Sequence, residues 1–382
     1  MVFGVYVSLV LVVGAYTALA LWPPRRPPAI AVIAFFVSHL INELPGIALA
    51  ALIVGTVLSV AVGAPTSPGD LVFFVLAGLS AVGLIAVMRR GLAARTVVAR
   101  AVETELGAGA WSSRIHRGWS GRRLARDLLG PFPVRPPGIR RVKNVAYGHA
   151  GRRNRLDVYY RRSGGHPGPV LVHFHGGHFQ IGHKSREARA LLFRLAGEGW
   201  LCISATYQLR AAGRFPHSLI DAKKVVHWAV SNASEYGGDP GMIIVSGSSA
   251  GAHLASMAAL TANTAKFQPG FEDADTSVAA AVCLYGYYGG RGASRGLASS
   301  PVGWIGRDAP PFVVAHGEND PLIPVEHADD FVRRLREGSA SPVVYFRLPG
   351  GEHSFDLFCS PRFDAVIEGV AAFGEWLRRA RS

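Results

Sequence analysis

Charge is nearly missing from the first ninety residues of this 382-residue chain, where only Arg25, Arg26, Glu43, Asp70, Arg89 and Arg90 carry it. A stretch so apolar does not read as the start of an ordinary soluble domain. Cysteine is scarce as well. Cys202, Cys283 and Cys359 are odd in number, and their spacing excludes a disulfide framework and a zinc site. Two of them lie in strand-like apolar runs and read as small buried hydrophobes. There is no internal repeat. The basic runs have no interleaved aromatics and match no nucleic-acid motif, so no nucleic-acid partner is expected. No basic segment precedes the first apolar stretch. This argues against a cleaved signal peptide, although Ala18-Leu19-Ala20 mimics a cleavage site.

Three apolar runs are present instead. Phe3–Trp22 is long enough to span a bilayer. Ala29–Ala64 is longer and is interrupted by His39, Asn42, Glu43 and Pro45. It reads either as one kinked span or as a short interfacial helix followed by a span, broken at Pro45-Gly46. Leu71–Met88 is the third run. Glu43 is costly in lipid unless paired or near an interface, and it reads as a contact residue rather than a catalytic one. Arg25-Arg26 and Arg89-Arg90 flank the first and last runs, and the loop at 65–70 has no basic residue. Three crossings put both arginine pairs inside, which predicts an integral membrane protein with its N-terminus outside and its main domain on the cytoplasmic face. Residues 89–162 hold eighteen Lys/Arg against four acids, the whole of the net charge of +14. Placed directly after hydrophobic spans, they suit anionic headgroups, so membrane lipids are expected partners. The expected organisation is a transmembrane helical region at 1–90, a basic linker at 91–141 and a catalytic domain at 142–382.

From Val142 onward, strand-like and helix-like patterns alternate. Strands are expected at Arg155–Tyr160, Pro169–Phe174, Leu201–Tyr207, Met242–Ser246, Ser277–Tyr285, Phe312–His316 and Val343–Leu348. Helices are expected at Ser185–Glu198, Leu219–Tyr236, Gly251–Ala262 and Phe363–Arg379. Such alternation predicts an α/β fold, a mostly parallel sheet with helices on both faces, and a site at the carboxyl ends of its strands.

Four motifs fall at those ends. Ile243–Ser246 runs into Gly247-Ser248-Ser249-Ala250-Gly251 and then a helical pattern, the strand–turn–helix setting that gives G-x-S-x-G its meaning. The turn would lift the Ser249 hydroxyl above the sheet as a nucleophile, and the Ala250 amide would face a developing oxyanion. About seventy residues upstream, His175-Gly176-Gly177-His178-Phe179 supplies further candidate oxyanion donors at Gly176, Gly177 and His178. His316-Gly317-Glu318-Asn319-Asp320-Pro321 places Asp320 in a turn where it can accept from an imidazole, with Glu318, Asp329 and Asp330 as competitors. Gly351-Glu352-His353-Ser354-Phe355 presents His353 as general base. The chain order Ser249, Asp320, His353 suits an acyl-transfer triad. His173, His175, His178 and His183 cluster, but no carboxylate or cysteine stands at ligand spacing, and no metal is expected. His175 reads as a brace for the oxyanion loop, His178 as a pocket residue and His253 as core. Tyr287, Tyr288, Gly289, Gly290 and Trp304 are candidates for the pocket wall.

Together with Tyr207-Gln208-Leu209, Phe215-Pro216, Asp221 and Gly238-Asp239-Pro240, these motifs resemble the hormone-sensitive-lipase-like esterases and the related arylformamidases and feruloyl esterases. The likeness covers roughly residues 145–380. It implies an α/β-hydrolase fold and a carboxylic-ester hydrolase with a Ser-Asp-His triad and no cofactor. His178 stands where the lipase-type loop has a third glycine, and Ser248 stands before the nucleophile where aspartate is common. The N-terminal segment resembles that of membrane-anchored bacterial Lip-type esterases. The expected function is hydrolysis of lipophilic acyl esters. The alternatives are an amidase or arylformamidase on the same fold, and a non-catalytic membrane scaffold. The acyl length and oligomeric state are left open.

Overall fold

The computed structural model describes residues 2–24, 28–111, 130–161, 167–291 and 297–381. Arg25, Arg26 and residues 112–129 of the expected basic linker lie outside the described residues.

Four helices lead the chain: α1 (Val2–Leu21), α2 (Pro28–Glu43), α3 (Pro45–Ala61) and α4 (Pro68–Leu106). Pro45 has no N–H to extend the ladder of α2, and α2 and α3 meet at 80°. The middle apolar run thus breaks beside Pro45. α1 and α4 run in the same direction. Phe3 packs edge-on against Phe73 at one end (6.2 Å between centroids), and Arg90 donates to the Leu21 carbonyl at the other (3.0 Å). α3 returns between them, with Thr56 near its end meeting Tyr6 near the start of α1 (3.3 Å). Val5, Val57, Leu79 and Val82 face outward.

Where a linker was expected from residue 91, α4 continues unbroken to Leu106. Ala94, Val98 and Val102 recur every four residues and so share one helix face. They are fully buried in one core with Phe346, Val366, Val370 and Phe373. The second half of α4 is therefore packed structure of the α/β domain.

That domain is an eight-stranded sheet in the order β1-β2-β4-β3-β5-β6-β7-β8. The strands are β1 (Arg140–Ala146), β2 (Arg155–Tyr160), β3 (Gly168–Phe174), β4 (Leu201–Ala205), β5 (Gly238–Ser248), β6 (Ala280–Leu284), β7 (Phe312–Gly317) and β8 (Val343–Leu348). β2 pairs antiparallel with both β1 and β4, and every other pairing is parallel. The helices are α5 (Arg189–Gly197), α6 (His217–Asn232), α7 (Ala250–Leu260), α8 (Glu326–Gly338) and α9 (Pro361–Arg381). Alternate strand residues face opposite cores. Leu171, Ile244 and Val313 pack toward α4, α5 and α9. Val172, Val245 and Val314 pack toward α6, α7 and α8. The helix expected from Ser185 begins only at Arg189, because Ala188 takes a left-handed backbone (φ 52°).

Candidate active site

β5 delivers the nucleophile elbow. Gly247 lies in register with Phe174 of β3 and Cys283 of β6, at the carboxyl edge of the sheet. The next turn must reverse within one residue, and Ser249 takes φ 54°, ψ −115°, a strained backbone for a residue with a side chain. The close packing explains the glycines. A Cβ on Gly247 would strike the backbone of Gly251, and one on Gly251 would strike the carbonyls of Phe174 and His175. The Ser249 amide donates to the Leu284 carbonyl (2.8 Å), which fixes the turn on β6.

The structure brings Ser249, His353 and Asp320 together. His353 Nε2 lies 3.0 Å from Ser249 Oγ, and Nδ1 lies 2.7 Å from Asp320 Oδ2. An Nδ1–H donating to Asp320 leaves Nε2 as acceptor for the serine hydroxyl. All three residues are buried. Asp320 Oδ1 also accepts from the amides of Leu322 and Ile323 (2.9 Å each), and His316 Nε2 stands 3.3 Å from Oδ2. Burial alone would raise the Asp320 carboxyl. The charge of His353 and hydrogen bonds from His316 and His353 outweigh it and hold the group well below the usual carboxylate range. The competing acids are engaged elsewhere: Glu318 with Arg347 (3.7 Å), Asp329 with Tyr345 (2.8 Å), and Asp330 with Arg333 and Arg334.

The candidate oxyanion loop, His175–Phe179, follows β3. Gly177, His178 and Phe179 all have positive φ. The amides of Gly177, His178 and Ala250 have no acceptor among the described residues. Gly176 must be corrected. Its amide donates to the Glu187 carboxylate and is not free to face an oxyanion. Tyr207 braces the same loop, stacking on His175 (4.5 Å) and donating to its carbonyl (2.6 Å).

Under this floor lies a polar group not anticipated from sequence. Asp356 accepts from Ser248 Oγ (2.5 Å) and from the Tyr285 hydroxyl. The carboxylate that Ser248 seemed to lack thus comes from the loop after His353. Tyr285 in turn packs edge-on against the His353 ring (4.6 Å). Burial, then the nearby Asp356 charge, pushes the Glu187 carboxyl up to about 7, and burial likewise raises Asp356. His173, His175 and His253 are driven down by burial to about 3, 4 and 3 and are neutral at physiological pH. His253 bonds the carbonyls of Ser299 (3.0 Å) and Gly289 (3.2 Å) and is a core residue.

A cavity of about 870 Å³ opens on Ser249, walled by His178, Phe179, Phe215, Tyr287, Leu322, Ile323 and three arginines, Arg210, Arg214 and Arg291. Tyr288 stacks on Phe331 (3.9 Å) and Trp304 packs on Phe267 (5.6 Å), so of the suggested aromatic wall only Tyr287 reaches this cavity.

The least expected neighbour is α2. Ser38 donates to Glu352 (3.0 Å), Asn42 to the Gly350 carbonyl (3.1 Å), and Glu43 accepts from Ser360 (2.8 Å) and Arg362. Phe35 meets the His353 ring edge-on at 6.4 Å. The polar residues that interrupt the second apolar run are buried against the His353 loop, while Ile30, Ile33, Phe36 and Leu40 point outward.

The BD-FAE family model matches residues 156–289. A Mycobacterium tuberculosis protein named a probable carboxylic ester hydrolase, LipM, is 37% identical over 95% of this chain and 92% of its own length. Esterase LipQ of the same organism is 37% identical over 61% of each chain. Among solved structures, esterase 2 of Thermogutta terrifontis shares the fold (TM-score 0.54, 23% identity), covering 65% of this chain and 97% of that one.

Proposed function

This chain belongs to the α/β-hydrolase carboxylesterases of the hormone-sensitive-lipase-like type, and from that membership we propose a membrane-bound serine hydrolase of lipophilic acyl esters. It is a carboxylic ester hydrolase. The single observation that carries the serine mechanism is the unbroken chain of contacts from Ser249 through His353 to Asp320.

The steps follow from that geometry. His353 Nε2 takes the Ser249 proton as Oγ attacks the ester carbonyl. Negative charge gathers on the carbonyl oxygen, which the amides of Gly177, His178 and Ala250 receive. Asp320 holds the imidazole in its tautomer and stabilises the imidazolium. His353 then protonates the departing alkoxide, leaving an acyl group on Ser249. Water, deprotonated by His353, attacks the acyl-enzyme. Collapse of the second tetrahedral intermediate returns the proton to Ser249 and frees the acid.

Membrane attachment rests on α1, α3 and α4. α1 and α4 exceed the length needed to cross a bilayer, and the bent α2–α3 pair can supply a third span. The three helices run in alternating directions, which puts the start of α1 on the face opposite the α/β domain. With Arg89-Arg90 at the domain end and a loop without basic residues at the other, that domain is assigned to the cytoplasmic face. α2 lies along the domain with its apolar side outward, as an interfacial helix does.

A fluorophosphonate probe should label the protein at Ser249, and Ser249→Ala should remove both labelling and turnover of a nitrophenyl ester series. Failure of the wild-type protein to label would favour a non-catalytic membrane scaffold. Faster turnover of an aryl formamide than of any ester would favour the amidase reading.

A further inference from the structure

The cavity beside Ser249 carries a charge pattern that a plain alkyl ester does not use. Arg210, Arg214 and Arg291 line it, and among the described residues no aspartate or glutamate does. Arg210 is held by a bond from Nε to the Gln180 carbonyl (3.2 Å). Arg214 is exposed and its side chain makes no ion pair among the described residues.

Arg291 is the informative one. Its guanidinium lies over Phe179, with Cζ 3.2 Å from the ring centroid. Nη1 donates to Ser218 Oγ (2.8 Å) and Nη2 to the Gly213 carbonyl (3.2 Å). These are neutral acceptors, and no carboxylate pairs with it among the described residues. Two N–H groups are used, and a guanidinium has more to offer. Burial lowers its pKa to about 10, so the group stays charged at neutral pH. Two neutral acceptors and an aromatic face offset only part of the desolvation of this half-buried cation, and an anion in the cavity would offset more. Phe215, Leu322 and Ile323 add apolar surface to the same cavity.

We propose that the Ser249 cavity selects esters with an anionic group, a carboxylate or a phosphate, on the arm that runs to Arg291. This rests on the serine-esterase reading above. Arg291 is then a specificity residue that touches the substrate's charge, with Arg210 and Arg214 drawing the anion to the mouth. The planar guanidinium, fixed by the Phe179 stack, suits two parallel bonds to a carboxylate or phosphate.

The test compares 4-nitrophenyl hexanoate with the 4-nitrophenyl monoester of adipic acid, which has the same chain length with a carboxylate at its end. The wild-type protein should favour the adipate monoester by about tenfold in kcat/KM, mainly through KM. Arg291→Gln should bring that ratio near one, Arg291→Lys should restore part of it, and Arg214→Ala should lower it by a smaller factor. Dihexanoyl phosphatidic acid against dihexanoyl glycerol forms a second arm. Preference only in the lipid pair assigns the anion to a headgroup, and preference only in the first pair assigns it to a soluble carboxylate. A wild-type ratio near one in both pairs, with Ser249 labelled by fluorophosphonate, overturns the inference and leaves the esterase intact. Absence of labelling overturns the esterase reading itself. Should Arg291→Gln not fold, the wild-type ratio and its partial fall in Arg214→Ala still decide.

Discussion

Truncating Glu43 to alanine tests how firmly α2 is joined to the hydrolase. Glu43 and Arg362 are 2% and 1% exposed. In Glu43→Ala, Ser360 loses its acceptor and the Arg362 guanidinium keeps only the Pro349 carbonyl, 3.4 Å away. Breaking a buried pair by deleting one partner costs about 3–5 kcal/mol. For a domain of this size that is a fall in Tm of about 10 °C. Ser38 and Asn42 still hold Glu352 and Gly350. The loop that presents His353 therefore loosens rather than detaches, and kcat should drop about ten- to a hundredfold. Glu43→Met combined with Arg362→Met replaces the pair with apolar groups of similar volume and should recover most of the stability. Thermal unfolding in detergent micelles, read beside hydrolysis of 4-nitrophenyl hexanoate, measures both effects. An unchanged Tm in Glu43→Ala refutes the docking. Equal losses in the single and double variants refute the claim that an unpaired buried charge is the cause.

Three further outcomes are expected. Asp320→Asn should lower kcat by about 10⁴ with little change in Tm, because the carboxylate fixes the imidazole tautomer, and steady-state kinetics on a nitrophenyl ester checks it. Glu187 lies well above its ordinary 4.5, at about 7, so the folded state favours the protonated form. Its contribution is complete below pH 4.5 and is lost as pH rises through 7, so Glu187→Gln should flatten that part of the Tm-against-pH curve. Parallel curves for variant and wild type would contradict this. Gly251→Val should abolish folded protein in circular dichroism, since its Cβ would overlap the Phe174 carbonyl and no flexible neighbour can yield.

The sheet could be read from the sequence because its strands are short apolar runs closed by glycine motifs, and Arg155–Tyr160 and Val343–Leu348 fall on the residues expected. That Ser249, Asp320 and His353 meet in space could be read because each ends such a run, in a chain order that leaves few alternatives. What stayed hidden depends on distant pairing. Gly176 looked like an oxyanion donor until Glu187, eleven residues on, was seen to occupy its amide. Ser38 and Glu352 are 314 residues apart, and nothing local to either announces the other. In α2 Glu43 reads as a contact residue, but hydropathy alone cannot name the protein surface that one side of a helix meets. Gly91–Leu106 is helix-compatible in sequence, but arginines outside the buried face of α4 mask the apolar stripe of Ala94, Val98 and Val102 that packs it into the α/β domain.

That uninterrupted α4 sets the posture of the whole molecule. Thirty-nine helical residues make a rod of about 58 Å. An enzyme on a flexible tether sweeps a volume above the membrane and meets its substrate at any angle. Here the rod enters the α/β core directly, and α2 clamps the His353 loop from the side. On the membrane attachment proposed above, the mouth over Ser249 would stand at one height and one tilt above the bilayer. The direction from which an ester can arrive is decided by the architecture before any contact with the cavity wall is made.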